Sequence, residues 1–332
     1  MAVGSRVLVA ISDIASEGLL ALPALVRLIH SLPNIQIELL AGHESLSFLE
    51  LLPDKLPVID EFAFSSPRLR YQALKQRDYQ GYLCLSPRSR HRWLGWRLGS
   101  KRFSPGLGTR RFWDGEAIGR LSQPWLLRQA YDQVVDDYLQ HIRCSSQAVQ
   151  SPYLHVLPRA QSSFRQKYCV IIHSGLEQPD HLSADQYQQL LSSLNLVADQ
   201  CEFVLCAANN ELPYCQYLAQ LLSEQAIDCR VEELDADWPR LAQLVSQTDL
   251  LIAEQGPMLW LAGALNVPCV GFAPLPLGGD FLRHPLARDN RCLMFSPPAG
   301  RLTQEDISLI NMTDSAVRIR QWFHQLTAPL AP

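Results

Sequence analysis

A carboxylate stands where the first predicted strand gives way to the first predicted helix. The apolar run Val7–Ile11 is typical of a strand, and the polar residues 12–17 that follow it end in Glu17. Ligands of parallel sheets bind at the carboxyl ends of the strands, so this carboxylate could act as a general base on a ligand's hydroxyl group. The structural alternative is that Ser16 or Asp13 caps the helix while Glu17 complements its dipole.

Two loops in the second half of the chain could contact a nucleotide. His173, Ser174 and Gly175 follow a predicted strand, and a loop that contains glycine lets backbone N–H groups approach a phosphate closely. The residues after this loop include Asp180 and no Lys or Arg, which is a poor lining for a diphosphate. Glu211 follows the next strand, where it could hydrogen-bond a ribose or a base, or belong to a plain turn.

A third loop carries the most informative pattern. The apolar run Leu250–Ala253 continues through Glu254, Gln255 and Gly256 into an apolar helix that begins with Pro257 and Met258. Proline favours the first position of a helix, and the free backbone N–H groups at such a start could meet an anion. Glu254 could accept a hydrogen bond from a ribose hydroxyl.

A basic segment interrupts the otherwise mixed charge pattern. From Tyr79 to Trp113 the chain carries eight basic residues and no Asp or Glu, with Trp93, Trp96 and Trp113 among them. The eight basic residues are Arg88, Arg90, Arg92, Arg97, Lys101, Arg102, Arg110 and Arg111. Candidate partners are a phosphorylated glycolipid acceptor, anionic membrane headgroups or RNA, and the alternative is a solvated charged loop. No recognised nucleic-acid motif accompanies the segment, so a nucleic acid is not expected as the partner.

Length and composition narrow the class of protein. A chain of 332 residues with 47% hydrophobic and 19% charged residues suits two globular domains and excludes disorder, collagen and coiled coil. Nine cysteines, an odd number without any Cys-x-x-Cys, lie mostly in apolar runs and predict buried, reduced thiols rather than disulfides or zinc ligands. No apolar stretch is long enough to span a bilayer. These features predict a soluble cytoplasmic protein.

Short apolar runs alternate with segments of helical periodicity along most of the chain. The predicted strands are Val7–Ile11, Ile35–Leu40, Val58–Phe62, Tyr82–Leu85, Cys169–His173, Glu202–Ala207, Cys229–Glu232, Leu250–Ala253 and Cys269–Ala273. The predicted helices are 19–29, Gln123–Arg143, Ala184–Val197, Leu212–Gln225, Trp238–Ser246, Pro257–Leu265 and Asp314–Leu326. Repeated β-α units indicate parallel sheets with helices on both faces, and therefore two doubly wound α/β domains with a cleft between them.

Three segments resemble motifs of the ADP-heptose:lipopolysaccharide heptosyltransferases, glycosyltransferase family 9. Ser16–Leu25 is similar to the family's Gly-Asp-x-Leu-x-x-x-Pro-Ala-Leu opening, and Asp78–Leu85 is similar to the strand that leads into its acceptor region. Glu254–Met258, followed by an apolar helix and Val267-Pro268, resembles the Asp-Thr-Gly-Pro-Met-His signature. The chain departs from the family at Glu17 and Glu254, where the family has Asp, and at Ser16, where it has Gly. Asp180 replaces a basic residue, and the signature His falls on Leu259 or Trp260.

The resemblance implies a GT-B fold with two Rossmann-like domains that face a central cleft. An acceptor domain would span 1–150, a linker 151–166 and a nucleotide-sugar domain 167–312, while the terminal helix in 313–332 would pack back on the first domain. The implied activity is metal-independent, inverting transfer of a heptose-like sugar, with ADP-heptose as co-substrate, to a lipopolysaccharide core or similar anionic glycan. The protein would have no cofactor. The basic segment in a chain without a membrane span further predicts that it touches the inner face of the inner membrane.

The resemblance and the residue patterns described above together assign roles to the candidate residues. Glu17 would be the catalytic base. Donor contacts would come from His173, Ser174, Gly175, Glu211, Glu254, Gln255, Gly256, Pro257 and Met258, and acceptor contacts from Ser16, Arg88, Arg90, Arg92, Arg97 and Lys101. The alternative is a catalytically impaired relative that binds a glycan or a membrane surface. An NAD-type oxidoreductase ranks last, because the chain has no Gly-x-Gly-x-x-Gly motif.

Overall fold

Two compact units make up the chain, Met1–His155 and Val156–Pro332. The computed structural model describes residues 5–99, 101–104, 124–149, 152–154, 156, 168–173, 182–194, 201–207, 211–234, 237–273, 286–287, 289–297 and 307–327. Each unit is built on one parallel sheet with helices connecting its strands. The predicted fold class is therefore confirmed.

The sheet of the first unit has the strand order β3-β2-β1-β4-β5, with all pairs parallel. Its strands are β1 (Arg6–Ile11), β2 (Gln36–Ala41), β3 (Val58–Asp60), β4 (Gly81–Leu85) and β5 (Lys101–Phe103). Every residue of Val7–Ile11 is fully buried. Because successive side chains of a strand point to opposite faces, both faces of this central strand are covered.

Among the described residues, five α-helices accompany the first sheet. They are α1 (Ala15–Ser31), α2 (His43–Leu49), α3 (Pro67–Lys75), α4 (Ser89–Leu98) and α5 (Pro124–His141). An ion pair joins α1 to α5, since Nη1 of Arg27 lies 2.8 Å from Oδ1 of Asp136 and Nη2 donates to the backbone oxygen of Asp132. Helices α2 and α3 were not predicted from the sequence.

The sheet of the second unit has the strand order β11-β10-β9-β6-β7-β8 and is also parallel throughout. Its strands are β6 (Tyr168–His173), β7 (Cys201–Ala207), β8 (Cys229–Glu233), β9 (Leu250–Glu254), β10 (Cys269–Phe272) and β11 (Cys292–Phe295). Its helices are α6 (Ala184–Leu194), α7 (Leu212–Ser223), α8 (Trp238–Ser246), α9 (Pro257–Ala264) and α10 (Met312–Thr327).

The last helix contributes to the core of the second unit. Met312, Ala316, Ile319 and Phe323 of α10 are buried there, and the helix packs along α6. The expectation that the terminal helix also packs back on the first domain stays a prediction.

The basic segment is an ordered helix and strand over its described part, not a loop. Helix α4 buries His91, Leu94 and Gly95, and Gly99 ends it in the left-handed region at φ 71°. Glycine is the usual residue at such a helix end because it lacks a Cβ. Because this segment contains many arginines and few apolar residues, the sequence pattern did not predict the helix.

The nine cysteines are unpaired, as predicted, and six of them are buried. Burial raises the pKa of the Cys84 thiol to about 12, so this thiol stays protonated. Among the described residues, no group of His, Cys, Asp and Glu side chains is arranged to hold a metal ion. The described helices include none that is both long and apolar enough to cross a bilayer.

The buried face of α4 generates a stability prediction. A methyl group on Gly95 would overlap the ring of Tyr82, whose hydroxyl donates to the backbone oxygen of His91 at 2.6 Å and so holds the ring in place. Gly95→Ala should therefore lower the free energy of unfolding by about 1–3 kcal/mol, although alanine favours a helix. Ser89→Ala, at an exposed position of the same helix, should stay within about 0.5 kcal/mol. Urea titration of both variants measures this, and an unchanged Gly95→Ala midpoint would contradict the packing.

Candidate functional site

The topology of the first sheet places two loops side by side. Strands β1 and β4 are neighbours in register, with Ile11 opposite Leu85, so the loops that follow them start at the same edge. The strand order reverses between these two strands, and ligands of doubly wound sheets bind at such a switch point. The loop after β1 leads to Glu17, and the loop after β4 leads to Arg88.

Glu17 is held by one hydrogen bond and one ion pair. The hydroxyl of Ser12, which is fully buried, donates to Oε2 of Glu17. The Nε atom of Arg88 lies 3.2 Å from the same oxygen. The Glu17 side chain remains 24% exposed, so the carboxylate is both fixed in orientation and open to a ligand. This combination is what a general base requires.

The structural alternative for this loop is wrong about the cap but right about Glu17, which lies in the first turn of α1, where a carboxylate complements the helix dipole. The N-cap position of α1 is Ile14, which makes no side-chain cap, and Ser16 lies inside the helix. The free N–H group of Ala15 is instead satisfied from α2, because it donates to Oε2 of Glu44 at 3.1 Å. Neither Asp13 nor Ser16 caps the helix, and the carboxylate of Asp13 forms ion pairs instead.

Asp13 connects Glu17 to a second carboxylate through two arginines. Its Oδ1 lies 3.8 Å from Nε of Arg88 and 2.8 Å from Nη2 of Arg90. The Nε atom of Arg90 lies 3.0 Å from Oε1 of Glu61. Acidic and basic groups therefore alternate from Glu17 to Glu61, so that each charge has a neighbour of opposite sign.

Glu61 anchors this row of charges in the interior. Its side chain is 1% exposed, and besides Arg90 it meets Nη1 of Arg70 at 2.6 Å and Nε2 of His91 at 2.7 Å. A carboxylate only accepts, so Nε2 of His91 carries a hydrogen, and Nδ1 of the same ring is hydrogen-bonded to the hydroxyl of Ser86 at 2.8 Å. The backbone N–H of Arg88 in turn donates to the Ser86 oxygen.

Opposing effects set the pKa of Glu61. Burial by itself would raise the pKa, because a charged carboxylate loses its hydration. The hydrogen bond from His91 and the positive charges of Arg70 and Arg90 more than offset burial, and they hold the pKa of Glu61 below its ordinary value of 4.5. Neither Glu61 nor His91 was predicted from the sequence, because each is separated along the chain from its partners.

The predicted acceptor residues fall into two groups. Arg88 and Arg90 belong to the network around Glu17, while Ser16 is half-buried in α1 beside it. The other three predicted residues, Arg92, Arg97 and Lys101, form no ion pair with an acidic side chain in the described part of the chain. Lys101 instead contacts the ring of His141 on α5, with Nζ 2.7 Å from Nε2.

Helix α5 carries a buried hydroxyl. Tyr131 is fully buried, and its OH has no hydrogen-bond partner among the described residues. Burial raises the pKa of Tyr131 far above its ordinary value, so the hydroxyl stays protonated. Nothing in the sequence pattern distinguishes this tyrosine from the other apolar residues of its helix.

The second sheet repeats the arrangement of the first. The strand order reverses between β6 and β9, where His173 stands opposite Ala253. The loops that contain the predicted donor residues therefore start at one edge. Ser174, Gly175 and Asp180 lie outside the described residues, as does the side chain of His173.

Glu254 takes part in the internal structure of the second unit. It is buried, and its Oε1 accepts from the backbone N–H of Leu182 at 2.8 Å and from the hydroxyl of Tyr187 at 2.9 Å. Burial raises the pKa of Tyr187 far above its usual range, and the Glu254 charge raises it further. A ribose hydroxyl would have to compete with these two donors. The predicted role of Glu254 in donor binding stays a prediction.

The remaining donor residues border two helix starts. Gly256 has extended backbone at φ 171° and Pro257 begins α9, as the sequence predicted. The N–H of Gln255, another predicted donor residue, donates to the backbone oxygen of Phe272. Met258 is buried in α9, and Glu211 is buried just before α7. Leu259 and Trp260, at the position of the family's histidine, are buried inside α9.

Comparison with known proteins finds similar chains of nearly equal length. A curated protein of Haemophilus influenzae, provisionally described as a glycosyltransferase, is 24% identical over 337 aligned residues, with 95% of each chain covered. No protein-family model matches the sequence.

Solved structures share the fold over almost the whole chain. The family 9 glycosyl transferase of Veillonella parvula has a TM-score of 0.71 at 13% identity, with 97% of each chain covered. The E. coli ADP-heptose LPS heptosyltransferase II has a TM-score of 0.68 at 15% identity and covers 97% of this chain and 100% of its own. The E. coli heptosyltransferase WaaC with ADP has a TM-score of 0.67 at 14% identity, covering 96% and 99%. These likenesses establish the fold and confirm the family resemblance identified in the sequence.

The buried carboxylate generates a prediction on stability and pH. Glu61→Gln leaves Arg70 without its counter-charge and Arg90 with Asp13 alone, and it should lower the free energy of unfolding by about 3–5 kcal/mol near neutral pH. Because the folded-state pKa of Glu61 is lowered, its stabilisation is complete above its ordinary value of 4.5 and is lost as the pH falls below it. The difference in the free energy of unfolding between wild type and Glu61→Gln should therefore become smaller as the pH falls below 4.5.

Hydrogen exchange in the β1 and β4 peptides, followed at several pH values, measures this difference. The control is Glu50→Gln, which changes an exposed carboxylate and should leave exchange unchanged. A gap that stayed constant, or widened, as the pH fell through 4.5 would contradict the proposed ion pairs.

Proposed function

We propose that the chain is a glycosyltransferase that moves a heptose-like sugar from a nucleotide diphosphate to a hydroxyl of an anionic glycan, such as a lipopolysaccharide core. The observation that carries the proposal is the placement of Glu17, oriented by Ser12 and Arg88 and still open to a ligand, at the switch point of the first sheet. Similarity to proteins named as glycosyltransferases over nearly the whole chain supports it.

In the proposed reaction Glu17 accepts the proton of the acceptor hydroxyl. The acceptor oxygen forms a bond to the anomeric carbon of the donor sugar on the face opposite the diphosphate. The bond from that carbon to the diphosphate oxygen breaks, and the nucleoside diphosphate leaves with the electron pair. Attack from the opposite face inverts the anomeric centre. General-base assistance of this kind contributes about 10²–10⁴-fold to a rate.

Ser12 and Arg88 have separate tasks in this scheme. The Ser12 hydroxyl orients the carboxylate so that its other lone pairs face the ligand, and the backbone oxygen of Ser12 is itself held by the hydroxyl of Ser45. Arg88 and Arg90 would bind anionic groups of the acceptor, which compete with Asp13 for the same guanidinium groups. Acceptor binding would then loosen the ion pair on Glu17 and release the base for its proton transfer.

The donor would bind to the second unit at the start of α9, where the backbone N–H groups of Gly256 and Met258 would meet the diphosphate. Gln255, Gly256, Pro257 and Met258 form this start, and Glu211 precedes the start of α7. The structure of WaaC with ADP and that of WaaC with ADP-2-deoxy-2-fluoro heptose suggest ADP-heptose as the first donor to test. The proposed enzyme needs no metal and acts in the cytoplasm at the inner membrane.

The assignment of the base leads to a kinetic prediction. Glu17→Gln keeps the size of the side chain but removes its basicity, so sugar transfer should fall by about 100-fold or more. The measurement is transfer by purified protein from ADP-heptose to truncated lipopolysaccharide, with Glu50→Gln as the control for an exposed carboxylate. Full turnover in Glu17→Gln would show that Glu17 is not the base.

Ser12→Ala separates orientation of the carboxylate from its chemistry. The variant keeps the base but loses the hydrogen bond that orients it, so kcat should fall less than in Glu17→Gln while KM for the donor stays the same. A rise in KM with no change in kcat would assign Ser12 to substrate binding instead.

Donor binding can be tested apart from catalysis. Titration calorimetry with ADP and with ADP-heptose should detect binding to the wild type, and Glu17→Gln should bind equally well because the residue acts on the acceptor. The absence of heat with either ligand at millimolar concentration would contradict donor binding. That outcome would favour a protein that binds a glycan without transferring a sugar.

A further inference from the structure

Two tryptophans on α4 are exposed next to each other. Trp93 is 51% and Trp96 is 60% exposed, and their ring centroids lie 5.5 Å apart. The guanidinium of Arg97 stacks over the ring of Trp93, 4.7 Å from its centroid. Large aromatic side chains that remain exposed next to one another, ringed by polar groups, usually mark a surface that docks onto a partner.

Helical geometry explains why these residues face outward together. A helix turns about 100° per residue, and His91, Leu94 and Gly95 occupy the side of α4 that is buried against the unit. Trp93 and Trp96 lie on the opposite side, with Arg92 on one flank and Arg97 on the other. We call these four residues the tryptophan face.

The tryptophan face is distinct from the Glu17 network. Arg88 and Arg90, at the start of the same helix, are paired with acidic residues of the first unit. Arg92 and Arg97 have no carboxylate partner within the described ranges, and Arg97 instead stacks on Trp93. No residue of α4 is acidic.

We propose that the tryptophan face docks the first unit onto an anionic lipid bilayer, with the two indole rings at the level of the headgroups and the two arginines on lipid phosphates. Indole rings favour the boundary between water and hydrocarbon, because they are largely apolar yet carry one N–H donor. Guanidinium groups bind phosphate through paired N–H donors. The proposal names the surface that touches the membrane, and it does not depend on sugar transfer.

The distribution of charge favours a lipid surface over a second copy of the chain. The segment 79–113 carries eight positive charges and no negative one, whereas the rest of the chain has 21 basic and 33 acidic residues. An anionic surface would attract this segment and repel most of the remaining surface, which orients the protein. A symmetric dimer through the same face would bring its unpaired arginines against those of the other copy.

Sedimentation with vesicles tests the proposal on the full-length protein. Wild type should bind vesicles of phosphatidylethanolamine and phosphatidylglycerol, should bind phosphatidylcholine vesicles far less, and should be released by salt. Arg92→Gln with Arg97→Gln should lower the partition coefficient by about 30-fold, since each arginine near an anionic surface contributes about 1 kcal/mol. Trp93→Ser with Trp96→Ser should lower it by about 10-fold or more.

Matched controls change exposed apolar residues elsewhere. Leu69→Ser lies on α3 of the same unit and Tyr217→Ser on α7 of the other unit, and both side chains are about half exposed. Neither should affect partition. Circular dichroism spectra and thermal midpoints confirm that all variants are folded, which the outward position of the changed side chains predicts.

Fluorescence quenching tests insertion of the rings directly. Lipids brominated near the headgroup should quench part of the wild-type tryptophan fluorescence on binding. Trp93→Phe with Trp96→Phe keeps two aromatic rings, so this variant should retain much of its binding while that quenching disappears. Quenching that persists in this variant would place the inserted tryptophan elsewhere and overturn the proposal.

Three further outcomes would also overturn the proposal. Equal vesicle binding by wild type and Trp93→Ser with Trp96→Ser would do so. A wild-type dimer in sedimentation equilibrium that the serine variant abolishes would assign the face to self-association. Binding of a labelled single-stranded RNA with the same dependence on both tryptophans would assign it to nucleic acid. The vesicles contain no glycolipid and no donor, so these results stand apart from the test of sugar transfer.

Discussion

A buried carboxylate has to be neutralised, and the organisation of the first unit follows from that requirement. Glu61 is almost completely buried, and removing its hydration would be costly without close partners. Arg70 comes from α3, while Arg90 and His91 come from α4, so one charge joins the segment after β3 to two helices. Because Arg90 and His91 are adjacent, the two contacts also fix the rotation of α4. That rotation directs Arg88 toward Glu17 and the tryptophan face away from the core.

The two sheets use the same topology, but their acidic residues have different surroundings. At the switch point of the first sheet, Glu17 is held from one side and remains accessible. At that of the second sheet, Glu254 is buried and already accepts hydrogen bonds from Leu182 and Tyr187. Position at the end of a strand is therefore not enough to predict a ligand contact. Accessibility and existing partners decide which carboxylate is available for chemistry.

A single helix links the proposed chemistry to the proposed membrane contact. The first turn of α4 contributes Arg88 and Arg90 to the Glu17 network, and its outward side carries Trp93 and Trp96. The helix is short, and its contacts with Tyr82 and Glu61 hold it against the unit. If this helix docks on a lipid surface, an acceptor anchored in that surface would lie next to the helix that also contributes to the Glu17 network.

The sequence alone determined the alternation of strands and helices, the parallel sheets and the position of Glu17 at a strand end. Strands that are buried on both faces consist of continuous apolar runs, such as Val7–Ile11 and Leu250–Ala253. Such runs can be recognised from the sequence alone. The tertiary structure alone decided how the charges are paired. Glu61 and His91 are thirty residues apart in the chain, and they follow β3 and β4, which are separated in the sheet by β2 and β1. For the same reason the arginines of one basic segment divide between the ion-pair network around Glu17 and the outward face of α4. Pairing depends on which face of a helix is buried, and the residues that bury it come from elsewhere in the chain.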